Sequence, residues 1–469
     1  MSSLFDHLES FNDHIAFHQF QNEDVSYSEL LKISNKISAC LLSRETIALE
    51  CSNSKEAIAC YVACIRSKIV PILLEDNVEQ AKLCSYAKLY STRYIFCQKE
   101  TTPSGYKKIL EIGQFSLYEK SSLSLQNDIH DDLALLITTS GSTGSPKLVK
   151  LSYENLLSNT QSIIKYLAID SNDLPITSLP MNYTFGLSIL NTHLYAGSSI
   201  VLTNASVLEK SFWNAFERFK PTSLSGVPYT FQMLERLNFF SKEISCITKI
   251  TQAGGKLSED LALSIGQKCL EKNIDFYIMY GQSEATARMS YLPPNFLLSK
   301  PDSVGIAIPD GMFWLEDDDG NRVIDVNATG NLVYSGSNVS MGYAKSWRDL
   351  FSGDQNMKIL YTGDLARIDD EGFIYIAGRQ KRFIKIFGNR VNLDDIENFL
   401  SKNKLISAAA GSDDHLQIHI EDNGIDFEIA DIKKLVSRFL KVHPSSIKIN
   451  IVSKLPRNKS GKIQYKELN

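Results

Sequence analysis

The stretch LALLITTSGSTGSPK, residues 133–147, joins an apolar run to a loop rich in glycine and hydroxyl side chains. Leu133–Ile137 predicts a buried strand, and a helix is expected after the loop at Ser152–Leu157. Freed backbone amides, hydroxyl donors and the cation of Lys147 suit the oxygens of a polyphosphate. The loop is not a Walker loop, because Pro146 precedes the lysine and Leu148 follows it. Taken alone, a plain flexible connection explains it equally well.

The composition is that of an ordinary globular chain of 469 residues, which predicts two or more domains. A net charge of −5 disfavours nucleic acid and anionic membranes as partners. The sequence has no apolar run long enough to cross a bilayer, and MSSLFDHLESF does not resemble a signal peptide, so a cytoplasmic location is expected. Eight cysteines without a Cys-x-x-Cys pair predict small core residues in a reducing compartment.

Helical and strand patterns alternate along most of the chain, which predicts an α/β protein with a largely parallel, helix-covered sheet. HIAFHQFQNEDVSYSEL predicts a hairpin that runs into a helix, with Ser26 and Glu29 at capping-box spacing. From about residue 300 to 377, turn signals separate short strands, as in a small antiparallel sheet or barrel. A domain boundary is expected near GRQKR at 378–382, followed by an α+β module.

Four further segments carry side chains suited to nucleotide chemistry. In YGQSEAT, at 280–286, Tyr280 offers a flat face for a base and Glu284 a carboxylate for Mg²⁺. Asp364 ends YTGD and could accept both hydroxyls of a ribose. GRQKRFIKIFGNRV is rich in basic residues, and the tail LPRNKSGKIQYKEL carries Lys462 behind a glycine. Each has a plainer explanation: a helix N-terminal acid for Glu284, a turn residue for Asp364 and a solvated side chain for Lys462.

In this order the segments resemble the core motifs of the ANL superfamily of adenylate-forming enzymes, from the hairpin near residue 13 to Leu468. The resemblance implies an α/β fold with a large N-terminal domain, residues 1–378, of two helix-covered sheets plus a small β-barrel. A small mobile α+β domain, residues 382–469, would follow a hinge at 379–381. Lys381 occupies the hinge position.

The resemblance also implies an acid–thiol ligase of the acyl-CoA synthetase type. With ATP and Mg²⁺, a carboxylic acid would become acyl-AMP with release of pyrophosphate, and a thiol would then take the acyl group. The implied catalytic residues are Lys462, Glu284 and Ser283, with Glu284 as the metal ligand. The implied nucleotide-binding residues are Thr139, Ser140, Gly141, Ser142, Thr143, Gly144, Lys147, Gly254, Gly255, Tyr280, Gly281, Asp364, Arg379 and Lys385.

The implied pocket for the small carboxylate substrate is lined by Tyr183, Phe185, Gly186, Val227, Gln282 and Ala287. Peptide-synthetase relatives carry an Asp where Thr184 stands, and a buried ammonium without a counter-charge is costly, so an α-amino acid is disfavoured. Two aromatic side chains suit an apolar or aryl acid. Coenzyme A and the phosphopantetheine of a separate acyl carrier protein are alternative thiols.

Three other functions stay open from the sequence. The first is a stand-alone adenylation enzyme that loads an amino or hydroxy acid onto a carrier protein. The second is a catalytically inactive nucleotide-binding module, and the third is a luciferase-like activity that shares the first half-reaction. A GTPase or a protein kinase is excluded because the Walker sequence, HRD and DFG do not occur.

Overall fold

The hairpin predicted near the N-terminus is present in the computed structural model, which describes residues 4–98, 102–121, 129–138, 147–387, 389–403, 405–422, 428–457 and 463–468. Strands β1 (Ile15–Gln19) and β2 (Val25–Ser26) pair antiparallel and lead into helix α1 (Tyr27–Ser38). Ser26 caps this helix, since its hydroxyl accepts a hydrogen bond from the Glu29 N–H at 3.1 Å.

The predicted alternation of helices and strands continues up to residue 97, and two further strands follow up to residue 120. The elements are β3 (Thr46–Glu50), α2 (Lys55–Arg66), β4 (Val70–Leu74), α3 (Gln80–Leu89), β5 (Tyr94–Cys97), β6 (Tyr106–Ile112) and β7 (Phe115–Lys120). Strands β3, β4 and β5 pair in parallel and are wholly buried, which explains the continuous apolar sequences of β4 and β5. Helix α2 is apolar on nearly every side because it too lies in the core.

The glycine-rich loop joins two antiparallel strands, β8 (Leu133–Thr138) and β9 (Leu148–Ser152), rather than a strand and a helix. The expected helix is present as α4 (Tyr153–Leu167), but it begins after β9 and extends beyond Leu157. Strand β9 was missed because all five of its residues are buried, including Lys150, and therefore show no alternation. The Lys150 ammonium donates to the carbonyls of Asp349 and Ser352 at 3.2 and 3.0 Å.

A second sheet is built from residues around 170–310. Its further elements are β10 (Pro175–Ile176), α5 (Thr184–Tyr195), β11 (Ile200–Leu202), α6 (Lys210–Phe219), β12 (Ser223–Gly226), α7 (Pro228–Arg236), β13 (Lys249–Gln252), α8 (Glu259–Glu271), β14 (Asp275–Tyr280), β15 (Ser290–Leu292) and β16 (Ile306–Ala307). The strand order is β16-β15-β14-β13-β12-β10-β11-β1-β2, and β1, β10, β11, β12, β13 and β14 are parallel. Parallel strands end at one edge, so Val227, Gly254 and Tyr280 lie together at the carboxyl ends of β12, β13 and β14.

The region expected as a small antiparallel sheet or barrel consists of β17 (Met312–Glu316), β18 (Arg322–Val323), β19 (Thr329–Ser335), β20 (Tyr343–Ala344), β21 (Ile359–Ile368) and β22 (Ile374–Arg379). Five of these strands form an antiparallel sheet in the order β18-β17-β19-β21-β22. In the described residues the pairing runs from β18 at one edge to β22 at the other. Strand β20 instead extends the first sheet, β20-β9-β8-β4-β3-β5-β7-β6.

The predicted C-terminal α+β module is present. It contains β23 (Phe383–Ile386), β24 (Asn389–Asn392), α9 (Leu393–Lys402), β25 (Ser407–Ser412), β26 (His415–Glu421), α10 (Ile429–Leu440) and β27 (Ile447–Val452). Strand β25, SAAAGS, was not predicted, because three alanines and a glycine give no strand signal. The module has its own apolar core, which includes Ile396, Leu400, Ile418 and Val436.

The larger cores lie on the faces of the two big sheets. One joins helices α1, α2, α4 and α5 to strands of both sheets, and a second packs α6, α7 and α8 on the other face of the nine-stranded sheet. All eight cysteines are free thiols, and Cys51, Cys60, Cys64, Cys97 and Cys269 are buried, as predicted for small core residues.

Candidate active site

A buried carboxylate, Asp364, connects three of the predicted motif segments. The side chain is 3% exposed. Its Oδ2 accepts hydrogen bonds from the Tyr280 hydroxyl at 2.5 Å and from Gln282 Nε2 at 2.9 Å, and Arg379 Nε lies 3.2 Å from Oδ1. Asp364 and Arg379 are register partners on β21 and β22, whereas Tyr280 ends β14. The segments YGQSE, YTGD and GR therefore meet in what we call the Asp364 cluster: Tyr280, Gln282, Asp364 and Arg379.

The members of the Asp364 cluster differ in burial, and this affects the pKa values of Asp364 and Tyr280. Burial raises the pKa of the Asp364 carboxyl above its ordinary value, and the Arg379 guanidinium opposes that shift. Burial and the neighbouring carboxylate hold the pKa of the Tyr280 hydroxyl well above its usual range, so Tyr280 stays a donor. Arg379 is 62% exposed, so it faces solvent at the open side of the cluster. A carboxylate placed in this way serves as a hydrogen-bond acceptor.

A second group brings Lys147 and Glu284 together through Tyr343. The Tyr343 hydroxyl donates to Glu284 Oε1 at 2.7 Å, and Lys147 Nζ lies 3.2 Å from the centroid of the Tyr343 ring. Tyr343 belongs to β20, opposite Val149 of β9, and this pairing sets its ring beside the end of the glycine-rich loop. Sequence reasoning missed Tyr343, because its neighbours on the chain carry no nucleotide motif.

Three of the residues predicted for the acid pocket lie together. Tyr183, Phe185 and Val227 share one apolar group, with the two aromatic rings edge to face at 6.4 Å. Gly254 has φ +84°, and a Cβ there would overlap the Tyr183 hydroxyl and come within 3.2 Å of Val227. Burial raises the pKa of the Tyr183 hydroxyl. Gly254, expected at the adenine, is therefore adjacent to the expected acid pocket.

The remaining residues predicted for the acid pocket, Gln282, Gly186 and Ala287, have the following surroundings. The amide of Gln282 lies in the Asp364 cluster and also donates to the Thr362 carbonyl at 3.0 Å. A Cβ at Gly186 would overlap the Pro180 carbonyl, so this glycine permits close packing of α5. The carbonyl of Ala287 occupies the space beside Gly281, where a side chain would overlap it.

The other predicted nucleotide and catalytic residues are placed as follows. Ser283 lies in a short 3-10 helix, and its hydroxyl is 3.4 Å from the Thr184 hydroxyl. A Cβ at Gly255 would lie 3.2 Å from Pro228. Lys385, on β23, has an exposed side chain, and its backbone N–H donates to Asp413 at 2.7 Å. Residues 139–144 and Lys462 lie outside the described residues, as does the side chain of Lys381.

A sequence model for AMP-binding enzymes matches residues 4–344, which is most of the chain. The chain belongs to the AMP-binding enzyme family. Among curated proteins, this AMP-binding enzyme is 25% identical to a 2-succinylbenzoate–CoA ligase of a Geobacillus strain, over 90% of this chain and 87% of that protein. It is 22% identical to the luciferin 4-monooxygenase of Photuris pensylvanica, over 95% of this chain and 89% of that protein.

The fold of the family is also found in solved structures. The O-succinylbenzoate coenzyme A synthetase of Bacillus subtilis, in complex with AMP, superposes with a TM-score of 0.79 at 21% identity, covering 100% of this chain and 98% of that one. The same synthetase in complex with ATP and magnesium ion gives a TM-score of 0.78. None of the helices in the described residues of the AMP-binding enzyme is both long and apolar enough to cross a membrane.

Proposed function

We propose that this AMP-binding enzyme activates a carboxylic acid with ATP, releases pyrophosphate, and transfers the acyl group from the acyl-AMP to a thiol with release of AMP. The observation that carries the proposal is the Asp364 cluster, in which segments 84 residues apart meet around one buried carboxylate. Proteins similar to this chain include CoA ligases, and a luciferin monooxygenase is also among them. These relatives support the first half-reaction and favour coenzyme A as the thiol.

The Asp364 cluster would bind the ribose of the nucleotide. A carboxylate has about four lone-pair sites, and Tyr280, Gln282 and Arg379 occupy three of them at Asp364. Two ribose hydroxyls therefore need one of these donors to move, and the exposed Arg379 is the one free to do so. The adenine would lie near Tyr280 and the backbone of Gly254, Gly255 and Gly281, where glycine lets the neighbouring protein groups approach closely.

Glu284 is suited to hold Mg²⁺. Its Oε1 accepts from Tyr343, and in the described part of the chain no hydrogen bond reaches its Oε2. Magnesium in nucleotide sites takes one or two carboxylates, with water and phosphate oxygens as its other ligands, so this donor set fits the ion. When bound, Mg²⁺ offsets the charge of the triphosphate. Lys147, against the ring of Tyr343, would bind β- and γ-phosphate oxygens together with the loop residues 139–144.

The acid would lie between Ser283 and the apolar group of Tyr183, Phe185 and Val227. Ser283 and Thr184 offer neighbouring hydroxyls at the end of that group where the carboxylate would meet the α-phosphorus. Lys462 would bind both the carboxylate and the α-phosphate, drawing the two anions together and stabilising the charge that develops.

The two steps would use different positions of the C-terminal module. We assign residues 1–378 to an N-terminal domain and 382–469 to a mobile domain, with the hinge at 379–381. In support, β22 ends at Arg379, and the polar contacts that cross this boundary include a hydrogen bond from Asn392 to the Ala377 carbonyl at 2.9 Å. A separate carrier protein is the alternative acceptor, and a cytoplasmic location stays a prediction from the sequence.

The direct test is exchange of labelled pyrophosphate into ATP with a panel of carboxylic acids, followed by detection of the CoA thioester. The proposal requires acid-dependent exchange in the wild type and its loss in Asp364→Ala. The matched control is Asp370→Ala, an exposed aspartate just beyond β21. Binding of MgATP without exchange for any acid would instead favour an inactive nucleotide-binding module.

A further inference from the structure

Arg288 is a buried cation without an acidic partner. The residue is 2% exposed, and no carboxylate of the described residues forms an ion pair with it. Its Nη1 donates to the Tyr166 hydroxyl at 3.3 Å and to Met279 Sδ at 3.5 Å, whereas its Nε has no hydrogen-bond partner in the described part of the structure. The guanidinium carbon lies 5.0 Å from the centroid of the Phe185 ring.

Among other buried or half-buried cations of the described residues, Lys249 and Lys300 are matched by acids, and Lys150 donates to two backbone carbonyls. Lys249 pairs with Asp173 at 2.8 Å, and Lys300 with Asp369 at 2.6 Å. Removing a guanidinium from water without a compensating anion is costly, and a thioether and one hydroxyl are weak substitutes for a carboxylate. The arrangement at Arg288 is therefore suited to an anion supplied from outside the chain.

The position of Arg288 connects it to the acid pocket of the proposed function. Phe185, under the guanidinium, belongs with Tyr183 and Val227 to the apolar group assigned to the acid. The preceding residue, Thr184, contacts Ser283, which is assigned to the reacting end. The Arg288 backbone is held firmly, since its carbonyl accepts hydrogen bonds from the side-chain amides of Asn159 at 2.9 Å and Asn338 at 3.2 Å.

We propose that Arg288 binds a second carboxylate of the acid substrate, so that the substrates of this AMP-binding enzyme are dicarboxylic acids activated at the carboxylate remote from Arg288. The inference rests on the proposed function and specifies its substrate class. A guanidinium and a carboxylate form paired, charge-assisted hydrogen bonds, and the free Nε supplies one of the donors. The same cation repels an ammonium, which agrees with the prediction from the sequence that an α-amino acid is disfavoured as the substrate.

His193 is a titratable side chain whose pKa is affected by the charge of Arg288. Burial lowers the pKa of His193 to about 4, and Arg288 adds to this effect, so the imidazole is neutral above pH 5. Its Nδ1 lies 2.8 Å from the Ile189 carbonyl. His193 therefore brings no positive charge at neutral pH, and Arg288 supplies the counter-charge for an anion at this position.

The test compares each diacid with its own monomethyl ester in the pyrophosphate-exchange assay, using succinate, glutarate, adipate and phthalate. We expect at least one diacid to exceed its ester at least 10-fold in kcat/KM. In Arg288→Met the kcat/KM for that diacid should fall 10- to 100-fold, while the kcat/KM for its ester should be unchanged or higher. Arg236→Met, at an exposed arginine on α7, is the control and should leave both values unchanged.

The outcomes separate this inference from the proposed function. If the wild type uses esters or other monocarboxylates with the same kcat/KM as the diacids, the proposed role of Arg288 is wrong. The adenylation activity is not contradicted by that result. An equal loss for diacid and ester in Arg288→Met would show a structural role and also overturn it. If Arg288→Met does not fold, the wild-type comparison of diacid and ester still decides. Absence of exchange with every acid contradicts the proposed function, and the inference falls with it.

Discussion

Tyr343 contacts two residues of the candidate active site from a distant part of the chain. Its hydroxyl donates to Glu284, 59 residues away in sequence, and its ring lies under the Lys147 ammonium. A tyrosine in SMGYAKS has no recognisable role until β20 pairs with β9. The residue then positions both the metal-binding carboxylate and the lysine that follows the phosphate loop.

Tyr343→Phe should weaken the use of Mg²⁺ while leaving the fold unchanged. The substitution keeps the ring against Lys147 but removes the hydrogen bond to Glu284, and a hydrogen bond to a charged group contributes about 1.5–3 kcal/mol. We therefore expect the Mg²⁺ concentration for half-maximal pyrophosphate exchange to rise roughly 10-fold or more. Tyr195→Phe, whose hydroxyl accepts from Gln161, is the control. An unchanged Mg²⁺ dependence in Tyr343→Phe would contradict the assignment.

Lys462→Ala should slow the first half-reaction by about 100- to 1,000-fold, the usual effect of removing one electrostatic contact to a transition state. The effect should appear in kcat of exchange, because the lysine is assigned to the reacting atoms rather than to general nucleotide binding. Lys454→Ala, at an exposed lysine of the same segment, should be unaffected. An adenylation rate equal to that of the wild type in Lys462→Ala would remove Lys462 from the mechanism.

At the scale of elements, a half-buried ionic group links the end of the predicted hinge to the C-terminal module. Arg382 Nη2 donates to Glu397 Oε1 of α9 at 2.6 Å, and the Tyr465 hydroxyl donates to Glu397 Oε2 at 2.9 Å. The Arg382 guanidinium also lies 3.9 Å from the centroid of the Tyr465 ring. Tyr465 therefore packs within the module.

The stability of this module should fall as the pH rises from about 4.5 to 7. Burial raises the pKa of Glu397 from 4.5 to about 7, against the opposing effect of Arg382. The folded form binds the proton more tightly than the unfolded form, so the stabilisation is complete below pH 4.5 and is lost as the pH passes 7. At about 1.4 kcal/mol per unit, the loss is at most about 3 kcal/mol.

Glu397→Gln tests this pH dependence. Thermal unfolding midpoints at pH 5.0 and 7.5 should differ less in the variant than in the wild type, because glutamine does not titrate. Glu467→Gln, at an exposed glutamate near the C-terminus, should keep the wild-type difference. The same pH response in Glu397→Gln and wild type would show that another group is responsible.

At the scale of the whole molecule, the proposed cycle depends on movement of residues 382–469 about the hinge at 379–381. The chain passes there from β22 to β23 through a 3-10 helix, Gln380–Arg382. Contacts between this module and the rest of the described chain include Lys402 and Glu259, whose charged atoms are 3.7 Å apart at the surface. Exposed ion pairs contribute about 1 kcal/mol or less, so such a contact does not prevent movement.

Lys381→Pro should spare adenylation and block thioester formation. Proline fixes φ near −65° and removes the backbone N–H, which restricts rotation at this position. Pyrophosphate exchange and single-turnover transfer to CoA, measured on the same preparation, separate the two steps. Lys381→Ala, which leaves the backbone free, should retain both. Equal loss of both half-reactions in the proline variant would contradict the hinge assignment.

The order of elements was largely predictable because it depends on local patterns. The N-terminal hairpin with its Ser26 cap, the buried strands β4 and β5, and the C-terminal α+β module follow from periodicity and turn residues. The family was predictable because its motifs are short and contiguous. Strand β9 was not predictable, because its buried Lys150 donates to carbonyls that are 199 and 202 residues away in the sequence.

The sequence by itself determined the fold class, the family and most of the residues assigned to the nucleotide. Tertiary structure decided that Gln282 joins the Asp364 cluster, that Tyr343 connects Lys147 to Glu284, and that Arg288 is buried without an acid among the described residues. Periodicity and motifs are properties of neighbours along the chain. Burial and charge pairing depend on which distant segments the sheets bring together, so they become defined only when the chain has folded.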